Sequence, residues 1–193
     1  TMSRRASTAL VMLLMLYYFF AGTLNSLFQY HPIMMAVAFV ALMPEIIHAA
    51  NGLKRSKNYQ DRLARIDQHM YLAFAMKVSA LIGFLVIYAN KNKRGKHHFV
   101  TWHGKIGGLA VTLVVAQVFI GAMYHWRLVS SNQLGRLRKA HKYLGIAILA
   151  LGGIAFLLGM FSNWAAANIH NPIVNGIFSF SVIIFSGWAY FRE

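Results

Sequence analysis

Four histidines, His31, His69, His103 and His141, stand within about one turn of the heads of four successive apolar stretches. Their spacings are 38, 34 and 38 residues. Neighbouring membrane spans run in opposite directions, so His31 and His103 come to one face and His69 and His141 to the other. Imidazole suits iron, and the cores of helix bundles hold cofactors with side chains from facing helices. Two pairs of neutral imidazoles across one bundle are what two six-coordinate haem irons need. A single histidine at such a depth is ordinarily an interfacial group hydrogen-bonded to a neighbouring helix. Four at matching depths on consecutive helices make a constellation.

A flat macrocycle lying between helices needs small residues below its ligand on the same face, at i+4, i+11, i+14 or i+18. From His141 that face holds Gly145, Gly152 and Gly159; from His103 it holds Gly107 and Gly121, with Ala110 between. From His69 it holds Ala73, Ala80 and Gly83, whereas His31 has Met35 and Leu42. Ordinary packing of membrane helices produces similar stripes, so the histidine at the head of each one carries the argument. His48, 17 residues after His31 and near its face, could replace His69 as a ligand. That arrangement needs a matching pair on a second helix, where the fourth span offers only Gln117. His125 and His170 fall at span edges, and His97 and His98 in the loop before the fourth span. Glu45 is expected inside the bundle, either accepting a hydrogen bond from a ligating imidazole or pairing with Lys77, the one basic residue deep in a span.

The elements that must position these groups are membrane helices. The chain has 193 residues, is 58% hydrophobic and has a mean hydropathy of +0.51. A span takes ~20 predominantly apolar residues, and six stretches qualify: roughly 8–28, 31–50, 68–90, 102–124, 141–162 and 172–190. The fold class is therefore all-α, a six-span bundle with a four-helix dihaem core, and residues 1–193 form one domain. Pro32 and Pro172 sit at helix starts, where a missing N–H does no harm. The first stretch follows Arg4 and Arg5 but is too long for a signal-peptide core, so it is read as a helix.

The net charge of +15 does not indicate nucleic acid, because the basic residues flank apolar spans. One side carries Arg4, Arg5, Lys54, Arg55, Lys57, Arg62, Arg65, Arg127, Arg136, Arg138, Lys139 and Arg192. The other carries Lys91, Lys93, Arg94 and Lys96. Twelve against four places both termini on the inner side. There is no cysteine, which excludes disulfides, iron–sulfur clusters and covalent haem attachment. Any haem is b-type and non-covalent, held by two histidines. The absence of a G-x-G-x-x-G turn leaves no nucleotide or flavin domain.

Three stretches carry a resemblance: Tyr30-His31-Pro32-Ile33-Met34-Met35, Met43-Pro44-Glu45, and Gly95-Lys96-His97-His98-Phe99-Val100-Thr101-Trp102-His103-Gly104. With them the chain resembles the eukaryotic cytochrome b561 family of transmembrane reductases, most of all its short, domain-containing-protein-2-type members. The resemblance covers roughly residues 10–190. It implies two b haems, His31 with His103 at the outer face and His69 with His141 at the inner. It also implies electron passage from ascorbate inside to monodehydroascorbate or a ferric chelate outside. His98 matches a family histidine near the outer substrate. Trp102 stands where the short relatives usually carry Arg.

A small anionic reductant would dock on the inner basic residues Arg62, Arg65, Arg138 and Lys139, because a field of that sign concentrates anions. The same residues suit anionic membrane lipid. His98 and Lys96 would hold a ferric or radical acceptor, and the irons would lie ~20 Å apart. Two other classes compete. One is a haem-bearing accessory subunit of a larger respiratory or photosynthetic complex, with a homodimer or larger assembly as partner. The other is a transporter or channel using the histidines as a proton relay, for which no haem is expected. The resemblance places the chain in an endomembrane or plasma membrane, with the mitochondrial inner membrane as the alternative.

Overall fold

A computed structural model describes residues 3–20 and 26–191, and among these every regular element is helical. The helices are α1 (Arg4–Phe20), α2 (Tyr30–Ala36), α3 (Met43–Gly52), α4 (Tyr59–Lys93), α5 (Trp102–His125), α6 (Ser131–Met160), α7 (Asn163–Asn168) and α8 (Pro172–Phe191). Short tight turns at Leu27–Gln29 and Leu53–Arg55, with a widened turn at Val37–Leu42, join α2 and α3 into one rod from Leu27 to Arg55. That rod, α4, α5, α6 and α8 are long and apolar enough to cross a membrane. Helix α1 has 17 residues. The expected first span, 8–28, includes residues 21–25, which lie outside the described residues, as does Arg192. Five of the six expected spans are thus present as membrane-length helices.

The widened turn in the second span has a local cause. Pro44 carries no N–H, and its ring crowds the carbonyl four residues back. An i→i+5 turn over Val37–Leu42 just ahead of it relieves that crowding without breaking the rod. Helices α4 and α6 begin well before the apolar stretches at 68 and 141, at Tyr59 and Ser131. Asn58 caps α4 by accepting the Asp61 N–H at 2.8 Å, and Thr101 caps α5 by accepting the Gly104 N–H at 3.1 Å. At α8, Pro172 fills the first position, and Asn171 Oδ1 accepts the N–H groups of Ile173 and Val174.

Met15 and Phe19 of α1, Phe39 and Val40 of the rod, and Phe178 and Val182 of α8 form the closed core. Phe74, Leu85, Phe119, Ile183 and Ile184 point outward from α4, α5 and α8. So much exposed apolar surface suits hydrocarbon rather than water. The chain is an integral membrane protein.

Candidate functional site

The four histidines meet in two pairs. His31, in the first turn of α2, and His103, in the first turn of α5, have ring centroids 5.9 Å apart and planes crossed at 84°. His69 of α4 and His141 of α6 have centroids 6.1 Å apart and planes at 64°. Imidazoles bonded on opposite sides of one metal at ~2 Å would have centroids separated by about 6 Å. The pairs come from alternate spans at opposite ends of the bundle.

Each ring's other nitrogen tells which one is available. His31 Nδ1 donates to Gly83 O at 2.9 Å, His103 Nδ1 to Ala155 O at 2.8 Å, and His69 Nδ1 to Ile46 O at 3.3 Å. An Nδ1–H held by a carbonyl fixes the tautomer and leaves Nε2 as the lone-pair donor, as metal-ligating histidines require. A register rule underlies two of these bonds. Gly83 lies 14 residues after His69, and Ala155 lies 14 after His141. His141 departs from the pattern: its Nδ1 is buried without a partner, and so is Gln117 Oε1. Gln117 Nε2 nevertheless donates to the backbone oxygen of His141 at 2.9 Å.

The glycine stripes meet side chains of neighbouring helices. A Cβ on Gly159 would stand 3.1 Å from His103 Cε1, and one on Gly121 would stand 3.2 Å from His141 Cε1. Both glycines lie 18 residues after the histidine of their own helix. Antiparallel packing of α5 on α6 therefore sets the far glycine of each against the head histidine of the other. Gly152 likewise receives the Phe39 ring, and Gly83 receives Met34 and Met35. Gly159, Gly121 and Gly152 thus give clearance to a ring from a neighbouring helix. The crossed ring pairs, the Nδ1 atoms committed on His31, His103 and His69, and the glycine cradles fit b-type haem.

Glu45 takes neither expected partner. It pairs with Arg4 at 2.6 Å and with Arg5 at 3.0 Å, tying the start of α1 to α3. Helical phase told its face but not which neighbour would arrive there. His48 lies one turn further on and lines a 180 Å³ cavity with Gly52, Arg55 and Arg65. Arg65 lies across Gly52 and also pairs with Asp61 at 3.1 Å. Arg62, Arg138 and Lys139 are exposed on the leading turns of α4 and α6.

At the other end, Lys96 lines a 380 Å³ cavity with Asn90, Lys91, Arg94, Phe28 and Trp164. Phe28 touches both Trp164 and His31, with centroid separations of 5.3 and 6.3 Å. His98 is not among that cavity's lining residues. Its ring stacks on Tyr88 at 4.1 Å, and its Nε2 meets Asn92 Oδ1 at 2.7 Å. Asn90 and Trp164 had no place in the sequence reading of this end; Trp164 arrives from α7, far along the chain. Trp102 is exposed, with Lys105 Nζ 5.2 Å from its ring centroid. His97, His125 and His170 are exposed.

A membrane helix bundle with two crossed histidine pairs, one near each end, defines a class of haem-binding membrane protein. A sequence profile for eukaryotic cytochrome b561 matches residues 30–166. The chain belongs to the eukaryotic cytochrome b561 family. It is 34% identical over 150 residues to transmembrane reductase CYB561D2 of Bos taurus, covering 75% of this chain and 66% of that protein. The corresponding protein of Homo sapiens is 32% identical over 147 residues, with the same coverage. The transmembrane ascorbate-dependent reductase CYB561 of Ovis aries is 25% identical over 134 residues, covering 69% of this chain and 52% of that one. The chain spans 66% of the length of the first two relatives.

Proposed function

We propose that this chain carries single electrons across a membrane through two b-type haems, one held by His31 and His103 and the other by His69 and His141. The observation that carries the reading is the pair of ring separations, 5.9 and 6.1 Å, at opposite ends of one bundle. When bound, haem supplies a one-electron couple, and the protein supplies position and potential. The carbonyls of Gly83, Ala155 and Ile46 orient three of the imidazoles. Buried Ile33, Phe39 and Met76 keep water from the bundle interior.

The excess of basic residues around the His69–His141 end makes it the inner face. There His48, Arg55 and Arg65 offer a small cavity for an anionic reductant such as ascorbate, with Arg62, Arg138 and Lys139 adding to the attracting field. At the outer end Lys91, Arg94 and Lys96, with Asn90 and Trp164, receive an anionic acceptor such as monodehydroascorbate or a ferric chelate. His98, held by Tyr88 and Asn92, stiffens the neighbouring loop. The reductase names of the relatives favour an electron carrier over an accessory subunit.

The test is transfer across a sealed bilayer. Haem-loaded chain in vesicles with trapped ferricyanide should reduce it when ascorbate is added outside, and empty vesicles should not. Retention of trapped ferricyanide by vesicles whose chain holds both haems would contradict the proposal. Arg65→Ala should raise KM for ascorbate while leaving kcat near wild type, the pattern of a lost binding contact.

A further inference from the structure

Lys77 is a half-buried ionisable group of α4 that the proposed transfer leaves unused. It lies half-buried on α4, between buried Met76 and the buried pair Ser79 and Ala80. A charged side chain at such depth is costly, and ordinarily faces a partner or a functional site. The sequence has four acidic residues. Glu45 is taken by Arg4 and Arg5, Asp61 is taken by Arg65, and Asp67 is exposed ten residues before Lys77. Glu193 lies outside the described residues. Among the described residues Lys77 has no ion pair.

Its place along α4 gives it a direction. Lys77 follows His69 by eight residues and precedes Gly83, the acceptor for His31, by six. At 1.5 Å per residue its Cα stands ~12 Å beyond His69 and ~9 Å short of Gly83. Side chains on a helix lean toward its N-terminus, so the ammonium leans back toward the His69–His141 end.

We propose that Lys77 is the fixed cation of the His69–His141 haem site, favouring the reduced iron there. The inference rests on the haem reading above. Reduction adds one electron to the iron, ferric to ferrous, with no proton and no bond made or broken. The centre's charge falls by one, and a cation nearby at low dielectric stabilises the product. At ~10 Å and an effective dielectric of about 20 the effect is about tenfold in the reduction equilibrium. In a one-electron titration tenfold reads as about 59 mV. Lys77 thereby makes the inner haem the readier acceptor from a reductant docked at the Arg65 end.

The test is a spectroelectrochemical titration of haem-loaded wild type, Lys77→Met and Lys77→Arg, each also with His31→Ala so that the inner site is read alone. Lys77→Met should lower the inner midpoint by about tenfold in equilibrium and move the outer one less, and Lys77→Arg should stay near wild type. Loss of the inner haem from Lys77→Met with retention in Lys77→Arg also supports a charge aimed at that site. An unchanged midpoint in haem-bearing Lys77→Met overturns the proposal. So does an equal fall at both sites, or loss of haem from both variants. A wild-type chain that binds no haem would instead overturn the reading beneath it.

Discussion

His31→Ala, His69→Ala, His103→Ala and His141→Ala should each remove one haem and spare the other. His48→Ala should spare both, since it lines a cavity and stands outside both ring pairs; difference spectra of the purified variants read the outcome. Gln117 makes a finer prediction. Its side chain ties down the His141 backbone at 2.9 Å, so Gln117→Leu should weaken haem at the His69–His141 site by about 10–100-fold, measured by haem titration of the apo chain. At this scale the four histidines were legible because a costly residue type recurred at matching depths. The partners of Glu45 and His98 were not. Helical phase says which way a side chain faces, whereas Arg4, Arg5, Tyr88 and Asn92 meet them through tertiary packing and loop closure.

Between elements, glycine spacing and one ion pair set how the helices seat. Because Gly159 faces the His103 ring, Gly159→Leu should displace that ring and cost the His31–His103 haem while the other survives. Loss of both haems would mean α5 and α6 had come apart. Arg4, only 6% exposed, depends on Glu45 for its counter-charge. Glu45→Ala should therefore destabilise the chain by about 3 kcal/mol, seen as a lower Tm in detergent. The equal 18-residue spacing from His103 to Gly121 and from His141 to Gly159 was present in the sequence. What it meant required knowing that α5 and α6 pack antiparallel. Hydropathy marks the membrane-embedded part of a helix rather than its ends. It therefore placed α5 and α8 within a few residues but missed the polar leading turns of α4 and α6.

For the molecule as a whole, apolar surface facing outward and a bundle tied at both ends leave the two ring pairs as its organising feature. Composition and hydropathy were enough to read an all-α membrane bundle, and alternation of span direction was enough to pair the rings. The cavities were legible only in part, since Arg65 and Lys96 were expected while His48 and Trp164 join them through the fold. The most direct measurement is a pyridine haemochrome count of haem per chain on wild type and on two double variants. Wild type should hold two haems, His31→Ala/His103→Ala one, and His31→Ala/His69→Ala none. Fewer than two in wild type, or one haem surviving in His31→Ala/His69→Ala, would contradict the pairing of alternate helices.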